Sequence, residues 1–166
     1  MPTEMGEYIV GAYLKLVLGC GVVDYNARPP GGGLVGLGEL DVIGFDFSGR
    51  KVYLCEVTTH LDGLQIGTGG SATIDRLTAK HQRQRDYADA YLHLPDFQRH
   101  FMFWSPVVRA GLVEPLKAIG FELFINQEYS AAIAELRRRA ATTTADSNNP
   151  AFRVLQILEH ARRAPD

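Results

Sequence analysis

The stretch "GELDVIGFDFSGRKVYLCEVTTH", residues 38–60, reads as two β-strands, about 39–47 and 51–58, folded back around Ser48-Gly49-Arg50. Apolar residues fill both halves and a short glycine-containing turn divides them, which is the pattern of a hairpin. If Ser48 and Gly49 form a two-residue turn, opposed residue numbers sum to 97, and a four-residue loop with the same centre gives the same sum. Asp41 then lies opposite Glu56, and Glu39 opposite Thr58. All four side chains share one side of the sheet, because strand residues alternate faces. A slip of one residue would put the two acids on opposite faces. On an ordinary amphipathic strand such acids would simply face water. Here "LDVIGFDF" and "VYLCEV" are apolar on both faces, so both faces are expected to be covered. Opposed Cβ atoms stand about 4.5–5.5 Å apart, and two carboxylates at that distance in a partly buried site repel until one takes up a proton. A hard divalent cation, Mg²⁺ or Mn²⁺, removes the conflict by taking oxygen ligands from both.

Upstream, Ile9, Val10, Tyr13, Leu14, Val17 and Leu18 recur at helical spacing over residues 4–19, and Gly19 and Gly21 provide a stop. "NARPPGGGLVGLG", residues 26–38, is too rich in proline and glycine for regular structure and is expected to be a loop carrying Arg28. Downstream, a glycine-rich loop precedes a long helix over about 72–92. A strand follows over 100–108, then a short helix in "AGLVEPLKAIG", a buried strand over 121–125 and a helix over 128–141. The order α-β-β-α-β-α-β-α-α predicts an α/β fold with a mixed sheet flanked by helices. Residues 1–141 form the expected domain, 142–150 ("TTTADSNNP") a polar linker, and 151–166 an amphipathic C-terminal helix.

Composition bounds the function only loosely. A chain of 166 residues with 46% hydrophobic and 22% charged residues is ordinary for a globular domain. Its net charge of −2 gives no global basic field, though a local basic face remains open. Two cysteines without His/Cys spacing argue against a disulfide framework or a zinc site and suit a reducing cytoplasm. No signal peptide or bilayer-spanning run is read, so no membrane partner is expected.

"GELDVIG" followed by "VYLCEVT" resembles the PD-(D/E)XK nuclease superfamily, of restriction-endonuclease-like fold, and most nearly its Holliday junction resolvase-like members. Those proteins carry a Gly-Glu-hydrophobic-Asp strand, then a hydrophobic-Glu-hydrophobic-Lys strand, and an initial helix with a glutamate, matched here by Glu7. The resemblance spans about residues 4–92. It implies Asp41 and Glu56 as metal ligands joined by the carbonyl of Val57, with Glu7 and Glu39 as outer-shell or second-metal groups. The activity implied is Mg²⁺-dependent hydrolysis of DNA phosphodiester bonds, by an endonuclease or an exonuclease, as in DNA repair. The alternative is a nuclease-fold module that no longer cuts and binds nucleic acid or a protein partner.

One position departs from the family pattern. Thr58 stands where the family has lysine, which orients or activates the attacking water. The lysine has migrated, the enzyme works without it, or the protein no longer cuts. Migration has a candidate in Lys80, which lies with Gln84 on or beside the buried stripe of the long helix. Snorkelling to solvent is the ordinary alternative for such a lysine. Arg28, Arg76, Arg83 and Gln84 form the candidate nucleic-acid-binding set, although arginines on that helix also suit a solvated face. His60, at the end of the second strand, is a secondary candidate. "ELRRRAA", 135–141, fits a helix C-terminus favoured by its dipole, and the same run could extend a DNA-facing surface. Phe101, Phe103 and Trp104 are assigned to the core. Val154, Leu155 and Leu158 either pack on the domain or pair with a second copy as a homodimer.

Overall fold

A computed structural model describes residues 2–31 and 39–163. The expected loop at 26–38 therefore lies partly outside the described residues. The chain forms a five-stranded mixed sheet in the order β1-β2-β3-β4-β5, flanked by helices. The elements are α1 (Met5–Leu16), β1 (Val22–Ala27), β2 (Leu40–Asp46), β3 (Lys51–Val57), α2 (Gly70–Tyr91), β4 (Gln98–Ser105), α3 (Ala110–Ile119), β5 (Glu122–Ile125), α4 (Asn126–Thr142) and α5 (Pro150–Ala161).

The expected strand order is corrected by one element. β1, Val22–Ala27, precedes the hairpin and pairs antiparallel with β2, so Asn26 and Ala27 belong to a strand and not to the loop. It is an edge strand in which only Ala27 is fully buried, and so it lacks the apolar run that marks the inner strands. β2 and β3 are antiparallel, and β3–β4 and β4–β5 are parallel.

The hairpin register follows from its turn. Phe47–Arg50 makes a four-residue loop closed by Gly49 N–H donating to Asp46 Oδ1 at 2.8 Å, with Arg50 at φ 54°. The strand pairs Asp46–Lys51 through Val42–Cys55 keep the opposed sum of 97 throughout.

Alternation along β2–β4 feeds two separate cores. Ile43, Val52 and Leu54 pack against Tyr87 and Ala88 of α2, and Phe103 joins Leu77 of α2 and Leu116 of α3. On the other face Val42, Tyr53, Cys55, Met102 and Trp104 pack against Val10 and Leu14 of α1 and Tyr129 and Ala132 of α4. Trp104 and Phe103 are wholly buried and Phe101 partly so, as core residues should be. α5 lies outside this second layer. Its Phe152 closes a small core with Ala12, Leu136 and Ala140, while Leu155 is half-buried beside it. Val154, Ile157 and Leu158 face solvent.

The second layer depends on a close helix–strand approach. A Cβ added at Gly11 would sit 2.0 Å from Tyr25 Oη and 2.6 Å from its Cζ. Tyr25 has little room to yield. Its ring packs on Tyr8 at 5.1 Å, and its hydroxyl accepts from Asn149 Nδ2 at 3.2 Å. Gly11→Ala is therefore expected to cost about 1–3 kcal/mol of overpacking, read as a lower urea midpoint with an unchanged m-value.

No helix among the described residues is long and apolar enough to cross a membrane.

Candidate functional site

The acids stand at the end of the β2–β3 ladder. One pair beyond Val42–Cys55, the same register sets Asp41 opposite Glu56. Val57 N–H donates to Asp41 Oδ2 at 2.8 Å, which turns this carboxylate toward the end of β3. Glu56 is buried, at 3% exposure. It faces α2, and Lys80 from that helix forms an ion pair with its Oε1. Two acids on neighbouring strands and a lysine from the covering helix thus meet on one face of the sheet.

The electrostatics express the crowding. Burial raises Asp41, with Lys80 and the Val57 N–H acting in the opposite direction. Burial, and then the charge of Asp41, push Glu56 up to about 8 against an ordinary 4.5; Lys80 only partly offsets them. Lys80 itself is raised: desolvation lowers it, but the charge of Glu56 outweighs that.

A proton held on Glu56 in the folded state, and released by the unfolded chain above about pH 4.5, makes metal-free stability fall as pH rises toward 8. Thermal midpoints in chelator should decline from pH 5 to pH 8. Glu56→Gln, which cannot titrate, should lose most of that decline. An equal slope in both proteins would remove Glu56 as its cause.

The supporting residues are arranged unequally. Glu7, on α1, is buried and accepts from Glu4 N–H at 3.1 Å and from Asn26 Nδ2 at 3.3 Å. Burial raises it, and the charge of Asp41 adds to that, so a third carboxylate lies within electrostatic reach of the pair. Asn26 reaches Glu7 from a left-handed backbone conformation, φ 52°, within β1. Glu39 is paired with Arg28 at 2.8 Å. Burial opposes its ionisation, but the Arg28 guanidinium holds Glu39 below the usual carboxylate range. Thr58 follows Glu56 on the same face, and its N–H continues the parallel ladder to Trp104 O at 2.9 Å. Arg76, Arg83 and His60 are exposed.

The buried stripe of α2 is more polar than its sequence suggested. It comprises Thr73, Leu77, His81, Gln84, Tyr87 and Ala88, with Lys80 at its edge. His81, which sequence reasoning passed over, lies between Phe101 and Phe121 at ring separations of 5.5 and 4.6 Å, and burial lowers its pKa. Gln84 is 1% exposed, yet neither amide atom has a hydrogen-bond partner among the described residues, nor do the buried hydroxyls of Thr58 and Ser105. Native interiors rarely leave such groups unsatisfied, so this face has hydrogen-bonding capacity that a water or ligand would use.

Among the described residues no group of three or more His, Cys, Asp and Glu side chains is arranged to hold a metal ion. The donors present nevertheless suit a hard cation in kind. Asp41 and Glu56 offer carboxylate oxygens whose mutual repulsion a divalent ion would relieve, and Val57 follows Glu56 at the end of β3.

Fold and site together define an α/β domain with a two-carboxylate centre covered by a lysine-bearing helix. Set against family models, curated proteins and solved structures, the chain gives no match.

Proposed function

We propose that the chain is a Mg²⁺- or Mn²⁺-dependent nuclease of the PD-(D/E)XK type, hydrolysing DNA phosphodiester bonds. The observation that carries the reading is the meeting of Asp41 and Glu56 in register, with Lys80 brought to Glu56 from α2. Asp41, Glu56 and the carbonyl of Val57 would hold the ion. Bound there, the metal would supply Lewis acidity toward a phosphate and an acidified water. Lys80 supplies the positive charge that Thr58 cannot, at the place where charge develops on the phosphate. Glu7, fixed by Glu4 and Asn26, lies within electrostatic reach of Asp41 and would act as an outer-shell group. Arg28, Arg76 and Arg83 are the groups offered to the nucleic-acid strand, and Glu39 orients Arg28; Gln84, expected to join them, is 1% exposed under α2 and does not reach the surface. His60 stands at the exposed end of this set.

One observation favours a second reading. The Lys80 ammonium already sits on Glu56, and such a pair can neutralise the acid without any metal, which suits a module that binds nucleic acid or a protein and no longer cuts. Titration calorimetry with Mg²⁺ and Mn²⁺, beside cleavage of single-stranded and branched DNA, separates the two. Metal binding with metal-dependent cleavage supports the enzyme. No heat of binding and no cleavage leave the binding module.

A further inference from the structure

We infer that the cleft between α4 and α5 is a second nucleic-acid surface, which binds a phosphate backbone away from the acid pair. The cleft has a volume of about 310 Å³, and Ala134, Arg137, Arg138, Ala141, Glu159 and Arg163 line it. α4, α5 and the two residues that follow carry six arginines against three glutamates, while the rest of the chain holds eleven cations against sixteen acids. Positive charge is therefore concentrated on these helices of a chain whose net charge is −2, and Arg137, Arg138 and Arg163 bring part of it to the cleft.

The arginines are held in place rather than loose. Glu159, whose side chain is 11% exposed, accepts from Arg137 at 2.6 Å and from Arg162 at 3.3 Å. Glu135 accepts from both Arg138 and Arg139 at 2.7 Å. Those two guanidiniums hold it down to about 2, so it stays ionised at any working pH. Arg163 donates to Ala141 O, at the end of α4, at 2.9 Å. Each carboxylate thus fixes two guanidiniums and cancels only one of their charges. The outer edge remains positive and pre-ordered, which lowers the entropy cost of binding.

Two further features select the ligand. Every cation of the cleft is arginine, whose planar fork matches phosphate oxygens better than a lysine ammonium does. Ala134 and Ala141 line it beside the arginines, without bulky side chains. The location separates this surface from the acids. α4 and α5 belong to the layer over Val42 and Trp104, whereas Asp41 and Glu56 are on the α2 face. A segment bound in the cleft is thus a different stretch from the one at the acids. The inference rests on the nucleic-acid part of the reading above, but not on cleavage.

Fluorescence anisotropy with a labelled duplex DNA, in EDTA so that no cutting occurs, tests it. Arg138→Gln with Arg163→Gln is expected to weaken binding at least about tenfold. The slope of log K against log salt should shrink by about two, at roughly 0.9 for each phosphate no longer neutralised. Arg138 is 68% exposed, and its removal leaves Glu135 paired with Arg139. Arg138→Glu alone therefore gives a second reading if the double variant does not fold; weakened binding with an unchanged melting curve supports the cleft. Wild-type affinity and salt slope in the folded variants would overturn the proposal. So would weakening seen only with Arg76→Gln and Arg83→Gln on α2, or no duplex binding by the wild type at low salt. Displacement of the DNA by poly-glutamate at matched charge concentration would assign the cleft to acidic protein segments instead, and would equally overturn it. If Mg²⁺-dependent cleavage is absent, the EDTA measurement still decides the cleft.

Discussion

Asp41→Asn and Glu56→Gln should each lower metal-dependent DNA cleavage by about 10³-fold or more while leaving the metal-free protein at least as stable as the wild type at pH 8. The first half follows from the proposed chemistry: electrostatic stabilisation at a reacting phosphate is among the largest single contributions to catalysis, and the proposal gives it to a cation that these two side chains would hold. The second half follows from burial. Desolvation raises both Asp41 and Glu56, and the charge of Asp41 raises Glu56 further, so ionising both in the folded, metal-free state costs stability. The amide variants remove charge with little change of volume. The amide oxygen that Asp41→Asn introduces can still accept from Val57 N–H, which in the wild type bonds Asp41 at 2.8 Å. A purely structural role gives the opposite pair of results, lower stability and no specific loss of cleavage. Cleavage assays and thermal melts in chelator, run on the same preparations, therefore separate a site from a scaffold. Variants with full activity would dismiss both acids from the chemistry.

What the sequence disclosed of this arrangement depended on period and chain geometry. The hairpin was legible because its two strands are strongly apolar and its turn is short, and the turn centre fixes the register. That register sets Asp41 opposite Glu56, and three-and-four spacing was enough to bring Lys80 to the same place. Other parts were hidden for physical reasons. β1 is an edge strand in which only Ala27 is fully buried, so its residues carry little of the signal by which inner strands are recognised. α2 itself was legible, but Thr73 and His81 on its buried stripe were not, because polar residues give no apolar signal at helical spacing. The support of Glu7 by Asn26 depends on one residue in the left-handed region within a strand, a choice that no spacing rule encodes. The resemblance to a nuclease family pointed to the two acids together but said nothing of the charge concentrated on α4 and α5.

Lys80→Ala should separate metal binding from turnover. In the wild type the ammonium competes with any divalent ion for Glu56, because it is already paired with Oε1 of that carboxylate. Its removal is expected to leave Mg²⁺ or Mn²⁺ affinity unchanged or to raise it a few-fold, measured by calorimetry. Turnover should fall by about 10²–10³-fold, the usual scale for losing one preorganised charge or proton-transfer group from a site. Lys80→Arg should recover part of the loss, since it restores the charge but not the compact ammonium. The side chain is 38% exposed, so truncation leaves no large cavity and the fold should persist. Glu56 does lose its counter-ion, which drives its pKa further up, and the metal-free variant should be less stable than the wild type above pH 7. Those signs distinguish the roles open to this lysine. An activator of the attacking water or a clamp on the phosphate loses rate and keeps metal. A mere counter-ion loses metal-free stability alone, and unchanged turnover in Lys80→Ala would leave it that role and no other.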